Sequence, residues 1–165
     1  MDEPTARQRR RILPKGMKSL DLLADDGTTL RMMLWQPKGA RGSLLLVPGR
    51  TEFIERYAEI IADFLDRGLA VAILDLRNHG LSTRPLANRH KHDVDDFAPM
   101  VNDLGLFVDR AAHEGLPRPF YLLGHSMGGH VALRFAHDHP RTIDRLILSA
   151  PMVGIDFGPL PPFLV

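Results

Sequence analysis

The sequence predicts an α/β protein whose mainly parallel sheet carries an N-terminal antiparallel hairpin and helices on both faces. Short continuous apolar runs alternate with longer segments in which apolar residues recur every three to four positions. Continuous runs are typical of strands buried on both faces, and their alternation with amphipathic helices favours parallel pairing. A third observation is the motif GHSMG at residues 124–128, which stands where one such run gives way to helical spacing.

The first elements follow from turn and cap signals. Two apolar-rich runs flank Asp26-Gly27, a pair typical of the tight turn in a hairpin. The run GSLLLVPG then predicts a buried strand. The segment RTEFIERYAEIIADFLDRG has helical spacing, with Thr51 as the expected N-terminal cap and Gly68 as the stop.

The later elements repeat the strand–helix alternation. The runs LAVAILDL, PFYLLGHS and DRLILSAP predict three more strands buried within the sheet. Residues 95–114 predict a second helix that ends at Gly115, and residues 127–138 predict a third that Pro140 stops.

The composition excludes several classes of function. The 165 residues carry a net charge of +1, so nothing in the balance indicates a nucleic-acid partner. The absence of cysteine excludes a disulfide framework, a thiolate zinc site and a cysteine nucleophile. No apolar run reaches the roughly 20 residues that span a bilayer, and the basic N-terminus lacks the apolar core of a signal peptide. We therefore expect a cytoplasmic protein that needs no cofactor or metal.

The chain divides into three predicted parts. Residues 1–18 predict a basic, flexible tail, which is either solvated or in weak peripheral contact with a membrane. Residues 19–150 predict the folded core. Residues 151–165 are apolar and proline-rich without clear periodicity, an unusual composition for the surface of a soluble domain. The sequence leaves the oligomeric state open.

The motif around Ser126 fits the pattern G-x-S-x-G, and it lies between a predicted strand and a predicted helix, as that pattern requires. A sharp turn from strand to helix lifts the serine hydroxyl above the carboxyl edge of the sheet, and small residues allow the close approach of helix and strand. The start of the following helix also favours developing negative charge. Ser126 is therefore a candidate nucleophile, and the alternative is a glycine-rich connection without chemistry.

Four stretches carry a resemblance to a known family: LLLVPGRTEFIERYAEIIADFLDRGLAVAILDLRNHGLS, HDVDDFAPMVNDL, YLLGHSMGG and LILSAPMVGI. They resemble the α/β-hydrolases, specifically the lysophospholipase and monoacylglycerol-lipase-like branch, also labelled serine aminopeptidase-like. The resemblance extends from about residue 19 to residue 158. It implies an incomplete α/β-hydrolase fold, with residues 151–165 as the start of the family's cap.

The resemblance also implies an oxyanion hole made of two backbone N–H groups. By motif position these belong to Met127, which follows the nucleophile, and to Arg50 in the loop after the first parallel strand. The family's usual His-Gly in that loop reads Pro48-Gly49 here. The side chain of Arg50 either meets an anionic head group or is solvated or paired with a neighbouring glutamate.

The sequence does not offer an obvious base or acid for Ser126. In this fold the acid and the histidine follow the serine along the chain, and the histidines that follow it stand on the predicted third helix: His130, His137 and His139. Upstream candidates on loops are His79, His90 and His92, whose use would reverse that order. His125 is positional in the family, Asp156 is a weak candidate acid, and Asp75 belongs to a structural turn.

These observations predict a serine hydrolase of carboxylic esters with a small lipid or ester substrate. The family chain would continue with a cap, an acid and a histidine, so we expect an N-terminal portion of a longer enzyme with little or no turnover on its own. The alternatives are a non-catalytic binding module on the same fold, and a hydrolase of another ester or of a peptide.

Overall fold

One six-stranded sheet organises the part of the chain that the computed structural model describes, residues 12–88, 91 and 94–154. Its strands are β1 (Lys18–Leu23), β2 (Thr29–Trp35), β3 (Ser43–Val47), β4 (Ala70–Leu74), β5 (Phe120–His125) and β6 (Arg145–Ser149). The helices are α1 (Ala58–Asp66), preceded by a 3-10 turn (Ile54–Tyr57), α2 (Ala98–His113) and α3 (Ser126–Asp138).

The strand order across the sheet is β1-β2-β4-β3-β5-β6. The strands β4, β3, β5 and β6 pair in parallel, whereas β2 is antiparallel to both β1 and β4. The predicted hairpin is present around Asp26-Gly27, where Gly27 has a φ of 83° and the Asp26 carboxylate accepts the Thr28 N–H at 2.9 Å. The predicted fold class is therefore confirmed.

Helices cover both faces of the sheet. Successive residues of each buried strand point to opposite faces, so each strand contributes side chains to two cores. One face packs against α2 and α3, and the other packs against the 3-10 turn and α1. The first core includes Leu45, Val47, Ala72, Leu74, Leu122, Phe107 and Val131. The second includes Leu44, Leu46, Val71, Ile73, Ile54, Tyr57 and Ile61. Burial on both faces explains why β3 and β4 read as continuous apolar runs.

The strand β6 lies at one edge of the sheet. Among the described residues it pairs only with β5. Its side chains Ile147 and Leu148 are 40% and 37% exposed, so both faces of this strand carry apolar surface in contact with solvent.

The start of the first helix differs from the prediction. Thr51 is not a cap: its φ is 61°, in the left-handed region, and the helical segment begins only at Ile54. The residue at the cap position, Phe53, makes no side-chain capping bond. The Ile54 N–H instead donates to the Asp75 carboxylate at 2.9 Å. A carboxylate from the end of β4 thus replaces the local cap that the sequence suggested.

The other helix ends agree more closely with the sequence. Gly68 ends α1 with a φ of 76°, and its N–H bonds the Leu65 carbonyl at 2.9 Å. The second helix begins at Ala98 rather than at residue 95, and the third begins at Ser126 itself.

Part of the predicted flexible tail is packed against the sheet. The Trp35 indole N–H donates to the Pro14 carbonyl at 2.9 Å, and Leu13 packs on the apolar cluster that contains Trp35. Leu13 and Pro14 are half-buried, whereas Ile12 and residues 15–17 are exposed, and Lys18 is the first residue of β1. Residues 1–11 and 155–165, with Asp156, lie outside the described residues, as do His90 and His92. None of the helices in the described segments has the length and apolar character that a membrane span requires.

Candidate active site

Ser126 stands at the junction of β5 and α3 in a strained backbone conformation. Its φ is 51°, whereas His125 before it is extended, with φ −105° and ψ 135°. A non-glycine residue in the left-handed region costs about 1–3 kcal/mol and persists only where its surroundings hold it. The junction is therefore the sharp turn that the motif predicts, and the Ser126 side chain remains partly exposed.

The first turn of α3 packs directly against the end of β3. A Cβ built on Gly128 would lie 2.3 Å from the Pro48 carbonyl oxygen and 2.4 Å from that of Val47. No side chain fits at that distance, so glycine is required there. This contact joins the turn at Ser126 to the loop that follows β3.

The loop after β3 reaches Ser126 itself. A Cβ built on Gly49 would lie 3.2 Å from the Ser126 Cβ and 3.3 Å from the His125 Cδ2. Residues 49–52 form a tight turn in which the Glu52 N–H donates to the Gly49 carbonyl at 3.3 Å. Thr51, the third residue of this turn, has the positive φ that glycine or asparagine usually supplies.

The predicted oxyanion donors belong to the two segments that meet at Ser126. Met127 lies in the first turn of α3, where a backbone N–H has no acceptor within the helix. The Arg50 N–H makes no hydrogen bond to any other described residue, and its side chain is exposed without an ion pair among those residues.

The strain at Thr51 leads to a test of this turn. We expect Thr51→Gly to raise the free energy of unfolding by up to about 1 kcal/mol, because the left-handed region costs an L-residue roughly 1–2 kcal/mol and the freer unfolded chain of glycine offsets part of that gain. Urea denaturation measures the change. Thr28→Gly is the control: Thr28 lies outside the left-handed region, so its replacement should lower stability. A loss of stability in Thr51→Gly would contradict this account of the turn.

Five of the six histidines in the described part of the chain contact groups other than the Ser126 hydroxyl, and the sixth, His113, lies at the exposed end of α2. His79 is buried, with its Nδ1 2.8 Å from the Arg77 carbonyl, and the His125 Nδ1 lies 3.1 Å from the Ser149 carbonyl. His130 packs edge-on against Phe97 with ring centroids 4.7 Å apart.

The two histidines at the end of α3 are also engaged. His137 bonds Asp138 at 2.8 Å, and the His139 ring packs on Phe135 at 4.8 Å.

No base contacts the Ser126 hydroxyl within the described residues, since none of them forms a hydrogen bond with that oxygen. The Ser126 carbonyl, in contrast, accepts the Met152 N–H at 2.9 Å. The segment after β6 thus crosses the start of α3 and is bound to Ser126 through the backbone.

Asp75, which the sequence places in a structural turn, is fully buried and holds three segments together. Its two oxygens accept the Ile54 N–H at 2.9 Å and the Leu81 N–H at 2.8 Å. It also accepts the Arg31 Nε–H at 2.7 Å, and Arg31 in turn bonds both oxygens of Glu55 at 2.7 and 2.9 Å. Its partners lie on β2 and in the segments that follow β3 and β4.

Sequence reasoning missed the role of Arg31 in this network. The hydrogen bonds from Arg31 lower the pKa of Glu55, although partial burial opposes that shift. The sequence signal was a charged residue inside the otherwise apolar strand β2, a position where an arginine requires a buried partner.

Comparisons with known proteins agree with the fold. The family described as "Serine aminopeptidase, S33" matches residues 38–165. The chain is 39% identical over 112 residues to "Lysophospholipase L2" of Escherichia coli, covering 68% of this chain and 33% of that protein. It is 32% identical over 133 residues to human "Monoglyceride lipase", covering 80% of this chain and 42% of that protein.

Solved structures show the same fold. A soluble variant of monoglyceride lipase from Saccharomyces cerevisiae, in complex with a substrate analog, superposes with a TM-score of 0.69 at 24% identity and covers 86% of this chain and 46% of that one. A thermostable carboxyl esterase from Bacillus coagulans gives a TM-score of 0.68 at 24% identity, covering 82% and 44%. The chain spans between a third and a half of these relatives. It belongs to the serine aminopeptidase S33 family of α/β-hydrolases, among the lysophospholipase and monoglyceride lipase-like hydrolases.

Proposed function

We propose that Ser126 is the nucleophile of a serine hydrolase that cleaves carboxylic esters through an acyl-serine intermediate. The observation that carries the proposal is the left-handed conformation of Ser126, φ 51°, at a strand–helix turn packed against the loop after β3. Strain of this kind clusters at functional sites, and the motif places the hydroxyl where a substrate carbonyl can approach it.

The reaction needs a base that none of the described residues supplies. The Ser126 Oγ attacks the ester carbonyl carbon and loses its proton to that base, and the carbonyl oxygen becomes negatively charged. The N–H groups of Met127 and Arg50 stabilise that oxygen; one such donor contributes about 2.7–4 kcal/mol in other serine hydrolases. The base returns the proton to the leaving alcohol, and water then hydrolyses the acyl-serine to the carboxylic acid and free Ser126.

The proposed substrates are lysophospholipids or monoacylglycerols. The support comes from the relatives whose printed names are lysophospholipase and monoglyceride lipase, at 39% and 32% identity. The alternative substrates are another ester or a peptide. Rates measured on long-chain acyl glycerols, short esters and peptides would distinguish these substrate classes.

A second candidate function is binding without catalysis. It is favoured by the absence, within the described residues, of any histidine bonded to the Ser126 hydroxyl. A serine hydroxyl without a base is a weak nucleophile, and loss of the catalytic histidine lowers turnover about 10⁶-fold in a serine protease of known mechanism.

The experiment compares residues 1–165 and Ser126→Ala with the E. coli relative on a monoacylglycerol, a lysophospholipid and an activated short ester. We expect the chain to hydrolyse each at least about 10³-fold more slowly than the relative. We also expect a fluorophosphonate to label Ser126 alone, slowly and only at alkaline pH, where hydroxide takes the hydroxyl proton in place of a protein base. Residual turnover that persists in Ser126→Ala would contradict the assignment of Ser126 as the nucleophile. Binding of the lipid without any labelling would favour the second candidate.

A further inference from the structure

Glu52 is turned back toward the loop after β3 rather than along the helix that follows it. Its Oε2 accepts the Gly49 N–H at 2.8 Å and the Tyr57 hydroxyl at 2.5 Å. Tyr57 is buried in the core beneath α1. A carboxylate held by a buried side chain on one side thus holds the backbone of the loop on the other.

Two hydrogen bonds close the turn of residues 49–52 in opposite directions. The Glu52 N–H donates to the Gly49 carbonyl, and the Gly49 N–H donates to the Glu52 carboxylate. The residues between them, Arg50 and Thr51, take no part in this closure. The Gly49 N–H is therefore occupied, and the next N–H along the loop, that of Arg50, has no acceptor among the described residues.

The Glu52 carboxylate has the charge state that these two hydrogen bonds require. Burial raises the pKa of Glu52, but the Tyr57 hydroxyl, the Gly49 N–H and nearby His125 together hold it below its usual value. Burial and the adjacent carboxylate raise the pKa of Tyr57. At neutral pH, Glu52 is ionised and accepts both bonds, while the phenol keeps the proton that it donates.

We propose that Glu52 is a positioning residue for the oxyanion hole: it occupies the Gly49 N–H and locks the turn so that the Arg50 N–H alone faces the oxygen at Ser126. The proposal rests on the proposed function of Ser126. Gly49 lies against the Ser126 and His125 side chains, so a change in its backbone direction moves the Arg50 N–H relative to the nucleophile. A displacement of about 1 Å at a reacting centre can cost about 10²-fold in rate.

The strain at Thr51 makes this closure necessary. An L-residue at φ 61° disfavours the turn by about 1–2 kcal/mol, so the loop relaxes to another conformation unless other bonds hold it. Of the described contacts, the two bonds between Gly49 and Glu52 are those that span the turn.

The test measures how fast a fluorophosphonate labels Ser126 in residues 1–165 at alkaline pH, over a range of reagent concentrations. We expect Glu52→Ala to lower the maximal labelling rate by about 10–100-fold and to change the half-saturating concentration less than threefold. Glu52→Gln should recover most of the rate, because its amide oxygen still accepts the Gly49 N–H. Asp63→Ala, on the exposed side of α1 with only a 4.0 Å ion pair to Arg67, is the matched control and should label as the wild type does.

The outcomes distinguish the positioning role of Glu52 from the nucleophile role of Ser126. Labelling of Glu52→Ala at the wild-type rate would overturn the positioning role and leave Ser126 as the nucleophile. Equal loss in Glu52→Ala and Glu52→Gln would overturn it as well. Absence of Ser126 labelling in the wild type would overturn the proposed function, and the positioning role with it.

Amide hydrogen exchange supplies a readout that does not depend on labelling. We expect the Gly49 N–H to be protected and the Arg50 N–H to exchange freely in the wild type, with the Gly49 protection lost in Glu52→Ala. An Arg50 N–H as protected as that of Gly49 would contradict the assignment of the free donor.

Discussion

Replacing Gly128 with alanine is expected to lower the free energy of unfolding by about 3 kcal/mol or more. The added Cβ would lie 2.3 Å from the Pro48 carbonyl oxygen and 2.4 Å from that of Val47, and backbone atoms cannot move aside as the end of a flexible side chain can. Either α3 must shift away from β3 or the loop after β3 must rearrange. Overpacking of this kind is costly.

The matched control is Gly105→Ala, a second glycine within a helix. Its Cβ would meet only the Phe135 ring, at 3.6 Å, which is ordinary contact. Since alanine is favoured over glycine in a helix by about 0.8–1 kcal/mol, this variant should be more stable than the wild type. Urea denaturation of both variants measures the difference. Equal midpoints for Gly128→Ala and the wild type would contradict the packing of α3 on β3.

Replacing Arg31 with methionine is expected to lower the free energy of unfolding by about 3–5 kcal/mol. The change leaves the fully buried Asp75 carboxylate without its cation, and removal of one partner of a buried ion pair has this magnitude. Asp75 keeps the Ile54 and Leu81 N–H bonds, so the loss arises from uncompensated charge. Methionine retains much of the apolar stem and limits the cavity.

The control is Arg134→Met on α3. Arg134 is exposed, and its ion pairs with Asp96 and Asp138 are 3.5 and 3.6 Å long. Surface pairs of this kind contribute about 0–1 kcal/mol, so the two variants should differ by several kcal/mol in the same denaturation experiment. Losses of similar size would indicate that Arg31 is not a buried bridge.

The Arg31 network should also appear in the pH dependence of stability. The folded pKa of Glu55 is depressed, first by its bonds to Arg31, so its contribution is present above the unfolded pKa, about 4.3. The contribution is lost as the pH falls through the lower folded pKa. Unfolding measured across that interval should therefore show a steeper acid loss in the wild type than in Arg31→Met.

The parts of the fold that the sequence predicts well are those set by local pattern. The apolar runs of β3 and β4 are continuous because both faces are buried, and the hairpin at Asp26-Gly27 follows from the turn residues themselves. The strand–turn–helix at Ser126 is predicted by its glycines, which allow the observed approach of α3 to β3. In each case the information lies within a few residues of the feature.

The features that the sequence does not predict depend on groups distant along the chain. Thr51 looks like a cap, but the acceptor for the Ile54 N–H is Asp75, at the end of another strand. Glu55, four residues after Thr51, binds Arg31 on β2. The antiparallel pairing of β2 with β4 and the parallel pairing of β3 with β4 bring Arg31, Asp75 and the segment after β3 together.

The bond between the Met152 N–H and the Ser126 carbonyl has a practical consequence for observing this site. The next residue, Val153, is 76% exposed, and the 165-residue sequence contains no cysteine. A cysteine introduced at Val153 would be the single thiol of the molecule, one residue from a backbone atom in contact with Ser126. An environment-sensitive dye on that thiol would report the arrival of a lipid by fluorescence, without any need for turnover.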